Sequence, residues 1–309
     1  MRKRVSVIIA NYNYSEFLSE SIGSCLNQEF NSSFIKKDEL EVLVIDDGSE
    51  DDSLSVAHAV AESSSEIPVR VYGIEHGGRS KARNYGLERS DSEYVVFLDS
   101  DDLLNKDFLF WTCSAIEVMP EVPFVYSYYY VYNPPYYDIL RPADFSYEQL
   151  YRKNFILITA LIRRQVIEQK GGFDERLELL EDWDLFLRLC QWGKPHLVPM
   201  PLFCYRRHPG SSTAIVGPNN AKISAYHKLV SENWRNRYKD IDFDEFRRSI
   251  PEMWVPCKEC PVNGCNRRFP EGTSRCCNQC ETRHQCELWD CPIFNVGGKM
   301  EKDKERRKS

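Results

Sequence analysis

The chain has 309 residues, 42% of them hydrophobic and 28% charged, with a net charge of −7. That length holds one large domain, or one domain with a small appendage, and the composition is that of an ordinary soluble globular protein. The acidic balance excludes a whole-chain polyanion binder, and no apolar run reaches the roughly 18 residues of a membrane helix.

The N-terminus, MRKRVSVIIANYNYSEF, opens like a signal peptide, but its apolar run stops at Asn11 with no small-residue cleavage site. It reads instead as a first strand, Val5 to Ala10, in a cytoplasmic protein. Ser15 opens a helical pattern through Gln28, with Phe17, Leu18, Ile22, Cys25 and Leu26 on one side. EVLVID, 41 to 46, is a second buried strand, followed by the turn and cap cluster DGSEDDS. VRVYG, 69 to 73, is a third, and GGRSKARNYGLERS is a loop feeding a helix. YVVFLD, 94 to 99, is a fourth, before a helix around Phe108 to Val118. Buried strands alternating with helices predict an α/β fold with a mainly parallel sheet and a site at the carboxyl ends of the strands. Three polar clusters then fall on one edge: Asn11, Tyr12 and Asn13; Asp46, Asp47 and Gly48; and Asp99 and Asp101.

The stretch YVVFLDSDD poses a specific electrostatic problem. Asp99, Asp101 and Asp102 crowd the mouth of a buried strand, where like charges repel and resist burial. Either solvent takes them up as a loop and helix cap, or something positive holds them.

Beyond residue 120 the pattern loosens. VPFVYSYYYVY reads as a strand that Pro134 and Pro135 break, and NFILITALIRRQVIEQKGGFDERL as a strand, a short helix and a glycine turn. LLEDWDLFLRLCQWG, 179 to 193, predicts an amphipathic helix with Glu181 and Asp182 near its start and Gly193 at its end. PLFCYRRHPGSST is a strand running into a loop, residues 219 to 250 are polar and helix-like, and Pro251 and Pro256 bracket a linker.

Cys25, Cys113, Cys190 and Cys204 stand singly in apolar surroundings, as buried free thiols do. The other eight cysteines cluster as Cys257-x2-Cys260-x4-Cys265, Cys276, Cys277-x2-Cys280, Cys286 and Cys291, with His284 among them. Two Cys-x-x-Cys knuckles with further cysteines point to metal, and in a cytoplasmic chain metal is preferred over disulfides. Eight thiolates match two Zn2+ sites; seven with His284 is another solution. An iron–sulfur cluster is a third, since Cys260 and Cys291 each precede proline. A stretch with so few apolar groups needs its metal to fold. Arg267, Arg268, Arg275 and Arg283, with the tail KMEKDKERRKS, permit nucleic-acid contact without demanding it.

The ordered set VSVIIANYN, VLVIDDGSEDDS, GGRSKARNYGLE, VVFLDSDD, EDWDLFLRL and YRRHPGSS resembles the family 2 glycosyltransferases of GT-A fold, over roughly residues 3 to 215. The resemblance implies a Rossmann-like, mainly parallel sheet flanked by helices. It also implies inverting transfer of a sugar from a nucleotide-sugar donor, a UDP-sugar, to a hydroxyl acceptor on a glycan, lipid or macromolecule. Carried over residue by residue, Asp99 and Asp101 form an Asp-x-Asp that holds Mn2+ or Mg2+, with Asp101 the direct ligand and Asp102 behind it or capping a helix. Tyr12 and Asp47 contact the base, with Ala10 and Asn13 shaping the pocket. Arg83 reaches the nucleotide or a carboxylate of the metal loop. The Glu181–Asp182 pair supplies the general base, Asp182 being preferred and Asp184 the spare. His208 becomes a third metal ligand or a phosphate donor, and Arg206 or Arg207 a charge clamp.

The family's processive members carry Gln-x-x-Arg-Trp followed by membrane helices; their absence here implies addition of one or a few sugars. The expected organisation is a GT-A domain at 1–218, a helical extension and linker at 219–256, a cysteine-rich zinc module at 257–295 and a charged tail at 296–309. The module, foreign to the usual family core, serves acceptor recognition or assembly. Two alternatives stand beside a small-acceptor transferase: the same catalyst aimed by the module at protein or modified DNA, and a non-catalytic nucleotide-sugar-binding scaffold. Intact Asp99, Asp101 and Asp182 argue against the scaffold.

Overall fold

The computed structural model describes residues 3–30, 34–133, 136–142, 144–211, 221–236, 238, 241–242 and 245. The cysteine-rich stretch from Cys257 to Cys291, its linker at Pro251 and Pro256, and Pro134 and Pro135 lie outside the described residues. The chain divides into one unit, Met1–Arg207, and a second that opens at His208.

The first unit is built on β1 (Val5–Asn11), β2 (Leu40–Asp46), β3 (Val69–Gly73) and β4 (Tyr94–Asp99), all parallel in the order β3-β2-β1-β4. In β1, β2 and β4 the continuous apolar runs are explained by burial on both faces: Val7, Ile8, Val42, Leu43, Val96 and Phe97 have no exposed surface, whereas β3 is half-buried. The crossovers are α1 (Ser15–Leu26), α2 (Ser53–Ser63) and α3 (Arg79–Arg89). α3 lies so close to β1 and β2 that a Cβ at Gly86 would fall 2.4 Å from Ile8 Cγ2, so only glycine fits there. α1 ends two residues before the expected Gln28. That side chain leaves the helix, donating to the carbonyls of Ser24 and Asn105 and accepting from the N–H of Leu109.

The remaining elements are β5 (Leu103–Leu104), α4 (Phe108–Glu117), β6 (Phe124–Asn133), β7 (Tyr136–Leu140), α5 (Tyr147–Arg152), β8 (Leu161–Arg163), α6 (Arg164–Lys170), α7 (Glu181–Leu189) and β9 (His196–Arg206). They continue the sheet as β4-β8-β6-β9-β5, with β7 beside β6. Here the expectation of a mainly parallel sheet needs correction, because this half is mixed. β8 is antiparallel to β4 and β6, β7 to β6, and β5 to β9, while β6 and β9 run parallel. The connection from β6 to β7 is too short for a crossover, which needs a dozen or more residues, so that pair has to be antiparallel.

β6 alternates along its length. Val125, Ser127, Tyr129 and Val131 are buried on one face, and Tyr128, Tyr130 and Tyr132 are half-buried on the other. α7 stops at Leu189, short of Gly193. Gly193 instead permits a close approach, since a Cβ there would lie 2.7 Å from the Glu121 carbonyl oxygen. Cys25, Cys113 and Cys190 are buried free thiols, whereas Cys204 is partly exposed. The second unit contains α8 (Ala221–Asn233), with Tyr226, Leu229 and Val230 buried. No helix among the described residues is long and apolar enough to cross a membrane.

Candidate active site

Strand register brings the polar clusters level with one another. Asn11 pairs with Asp46 across β1 and β2, and Ala10 pairs with Asp99 across β1 and β4. Asn11 Nδ2 donates to Asp46 Oδ1 at 2.9 Å, and Asp46 also accepts from the Ser49 N–H and hydroxyl. Asn13 takes a left-handed φ of 57°, which asparagine tolerates better than most residues. From there its N–H donates to Ser49 Oγ and its Oδ1 accepts from the Glu50 N–H, tying the loop after β1 to the loop after β2.

Asp47 is buried and ties in a third loop. Its Oδ1 accepts from the Gly77 N–H at 2.9 Å and its Oδ2 from the Gly78 N–H at 2.8 Å. His76 Nδ1 lies 2.9 Å from Asp47 Oδ2, and the His76 ring stacks on Tyr12 with centroids 4.2 Å apart. In the sequence His76 carries a single signal, its place before the glycine pair that leads into α3.

The acidic turn follows β4. Carboxylate oxygens of Asp99, Asp101 and Asp102 lie within 4.8 Å of one another. The Asp102 N–H closes the turn on the Asp99 carbonyl, and Asp102 Oδ1 accepts from the Arg206 N–H at 2.9 Å. Asp102 therefore anchors the end of β9 and caps no helix. Burial, together with the charges of Asp101 and Asp99, holds its carboxyl well above the usual range. Tyr14 borders the same turn: burial, then the charges of Asp101 and Asp99, push its phenol up to about 12, so it stays protonated.

Arg83 is a buried positive charge at this mouth. It is 2% exposed, and it donates from Nη2 to Asp99 Oδ1 at 2.6 Å and from Nη1 to Glu181 Oε1 at 2.8 Å. Its guanidinium also lies over the Phe173 ring. Burial opposes its charge, but Asp99 and Glu181 outweigh burial and raise its pKa. Arg206 turns toward α1, over the Phe17 ring, and donates to Glu20 Oε2 at 2.6 Å. Arg207 is exposed, with its N–H on the Tyr132 carbonyl. His208 opens the second unit, where its carbonyl accepts from the Ser211 N–H.

At the head of α7, Leu180 holds a left-handed φ of 61°, a conformation costing about 1 kcal/mol or more for a residue with a Cβ. Glu181 points inward to Arg83, while Asp182 is partly exposed. Asp182 Oδ1 accepts from the Trp183 N–H at 2.8 Å, and Oδ2 accepts from Asn154 Nδ2 at 2.9 Å. Burial and the neighbouring Glu181 carboxylate push Asp182 up to about 7, against the pull of Arg83. Asp184, the spare, is fully buried, and its Oδ2 accepts from Arg188 Nε at 2.9 Å.

An acidic turn, a buried arginine and a carboxylate poised near neutrality thus share one edge of an α/β sheet. The chain matches the family model described as glycosyl transferase family 2 over residues 6–167, more than half of its length. The chain belongs to glycosyltransferase family 2. It is 27% identical over 252 residues to a chondroitin synthase of Pasteurella multocida, covering 78% of this chain and 24% of that protein.

The fold is that of GT-A glycosyltransferases. The crystal structure of TarS 1–349 from Staphylococcus aureus in complex with UDP-GlcNAc superposes with a TM-score of 0.59 at 21% identity, over 79% of this chain and 69% of that one. A mannosyltransferase from Pyrobaculum calidifontis, in complex with GDP-Man and Mn2+, gives a TM-score of 0.55 at 24% identity, over 74% and 63% of the two chains. This chain spans between 18% and 39% of the length of the first curated relatives it matches.

Proposed function

We propose that this glycosyltransferase moves a sugar from a UDP-sugar to an acceptor hydroxyl with inversion, in a metal-dependent reaction with Asp182 as general base. The observation that carries the reading is the bridge made by Arg83, which joins Asp99 of the acidic turn to Glu181 beside Asp182. Leaving-group chemistry and proton abstraction are thereby built into one connected cluster. The nucleotide-sugar complexes of TarS and of the mannosyltransferase, the latter with Mn2+, support the same reading.

The acidic turn fits a hard divalent cation. It offers carboxylate oxygens within 4.8 Å of one another, and their mutual repulsion is what a dication would relieve. Asp101 and Asp99 would hold Mn2+ or Mg2+. When bound, such an ion neutralises the departing diphosphate as a Lewis acid. Asp47, Tyr12, Asn13 and Ala10 shape the nucleotide side, and His76 joins them through its stack on Tyr12. Asp182 accepts the acceptor's proton as the new carbon–oxygen bond forms and the bond to the diphosphate breaks on the opposite face.

The decisive experiment is a screen of UDP-, GDP- and dTDP-sugar hydrolysis in Mn2+, repeated with chelator. Turnover of a UDP-sugar that chelation abolishes is expected. Turnover indifferent to chelation would remove the metal, and preference for GDP- or dTDP-sugars would change the donor.

Arg83→Met tests the bridge. Removing the arginine breaks a buried pair and leaves Glu181 only the longer contact to Arg79, 4.0 Å away, an imbalance that costs up to about 3 kcal/mol. Donor turnover should fall together with stability, both read on one preparation by urea unfolding and donor hydrolysis. A variant with unchanged midpoint and turnover would show that the bridge organises nothing.

The stretch Cys257 to Cys291 is proposed as a separate module holding about two structural Zn2+ through thiolates, a closed arrangement with no open position for water. Elemental analysis should find that zinc, and a chain truncated after Glu252 should keep donor hydrolysis. Iron with visible absorbance, or oxidised thiols with less than about one zinc per chain, would overturn the metal assignment.

A further inference from the structure

Asp182 is held at both carboxylate oxygens, and only one of the two holders lies on its own helix. Oδ1 takes the N–H of Trp183, the next residue of α7. Oδ2 takes the side-chain amide of Asn154, 28 residues earlier, in the segment between α5 and β8. The amide's orientation follows from its other contact. Asn154 Oδ1 accepts from the Ile156 N–H at 3.2 Å, so the NH2 end faces the carboxylate.

The segment carrying Asn154 is pinned on either side of it. Ser146 caps α5 by accepting the Gln149 N–H, the Trp183 indole donates to the Leu150 carbonyl at 2.7 Å, and Ile156 is 1% exposed. Trp183 therefore ties the α5 segment to the head of α7 a second time, through its side chain. An asparagine needed only to shape the loop would require its Oδ1 contact. Its Nδ2 contact does something else: it selects one rotation of the Asp182 carboxylate and favours the ionised form.

We propose that Asn154 is a positioning residue of the transfer reaction, whose amide holds the Asp182 carboxylate turned and ionised to receive the acceptor's proton. The proposal rests on the reading of Asp182 as the base. One proton moves from the acceptor hydroxyl to Asp182; Asn154 donates a hydrogen bond throughout and neither gains nor loses a proton.

The charged groups acting on Asp182 are Glu181 and Asp99, which raise its pKa, and Arg83, which lowers it. Against this background the amide is a neutral donor, and its removal destabilises only the charged form. The base should then ionise at higher pH. Residues that orient a catalytic ligand from behind typically contribute 10- to 100-fold to activity, and a similar range is expected here.

The test uses the full chain and four proteins: wild type, Asn154→Ala, Asn154→Asp and Asp182→Asn. Asp182 is titrated directly by 13C-aspartate NMR, its signal being the one lost in Asp182→Asn. Turnover is measured with the donor found by the screen above, beside UDP affinity. In Asn154→Ala the titration midpoint should rise by about one pH unit, and kcat at neutral pH should fall about 10- to 100-fold with UDP affinity unchanged. Asn154→Asp keeps an acceptor for the Ile156 N–H but replaces the donor with a second carboxylate, so its midpoint should rise further.

A lowered unfolding temperature with unmoved midpoints would make Asn154 a loop residue and overturn the proposal. So would kcat within twofold of wild type, or UDP affinity falling in step with kcat. Full turnover in Asp182→Asn overturns the base reading itself. An inactive Asp182→Asn beside an unaffected Asn154→Ala overturns the role of Asn154 alone.

Discussion

Asp101→Ala is expected to abolish sugar transfer, lowering turnover about a thousandfold or more, and to weaken UDP binding in Mn2+ while the fold persists. Electrostatic stabilisation of a departing diphosphate is worth several kcal/mol, and each 1.4 kcal/mol is about tenfold in rate. Asp101 suits the experiment because it is partly exposed in the turn, whereas Asp102 is 2% exposed and holds the Arg206 N–H at the end of β9. Loss of activity in an Asp102 variant would therefore mix chemistry with folding. The measurements are turnover across a Mn2+ series, UDP calorimetry with and without metal, and thermal unfolding. Undiminished turnover of Asp101→Ala in Mn2+ would sink its assignment as a ligand.

Asp182→Asn is expected to remove transfer by a factor of about 100 to 10,000, the range of general-base catalysis, while donor affinity stays near that of wild type. The substitution is nearly isosteric, and an amide oxygen can still accept from Asn154, so the head of α7 should keep its shape. The pH profile supplies the sign. The base acts only when ionised, and burial with the Glu181 charge pushes its carboxyl up to about 7. In the wild type kcat/KM should rise as pH increases through about 7 and level off above it; the residual activity of Asp182→Asn should lack that limb. A collapse of donor affinity in the variant would make Asp182 a binding residue and send the search for the base elsewhere.

The head of α7 also marks where sequence reading reaches its limit. Asp182 and Asp184 sit two residues apart on one helix, so their side chains leave in nearly opposite directions. The helix and its acidic head were legible from LLEDWDLFLRL. Which acid faces the site was not, because that depends on the far partners: Asn154 for Asp182, Arg188 for Asp184.

The parallel half of the sheet was legible nearly to the residue: β1, β2 and β4 are buried on both faces and so read as continuous apolar runs, and the half-buried β3 is marked by its β-branched and aromatic residues. The mixed half was not. Antiparallel β8 is a three-residue strand inside a longer apolar run, too short for its composition to show its direction. The early end of α1 was likewise hidden, because the Gln28 side chain is consumed by Asn105 and Leu109 across the fold.

By itself, then, the sequence determined the elements of the parallel half, the edge at which the polar clusters gather and the crowding of Asp99, Asp101 and Asp102. All of these follow from local periodicity and from chain adjacency. Only the tertiary structure decided that Arg83 spans Asp99 and Glu181, that His76 stacks on Tyr12 above Asp47, and that Asn154 reaches Asp182. Each of those contacts joins residues far apart in the chain through a single polar side chain, and a lone polar residue in a loop carries no period from which its partner can be read.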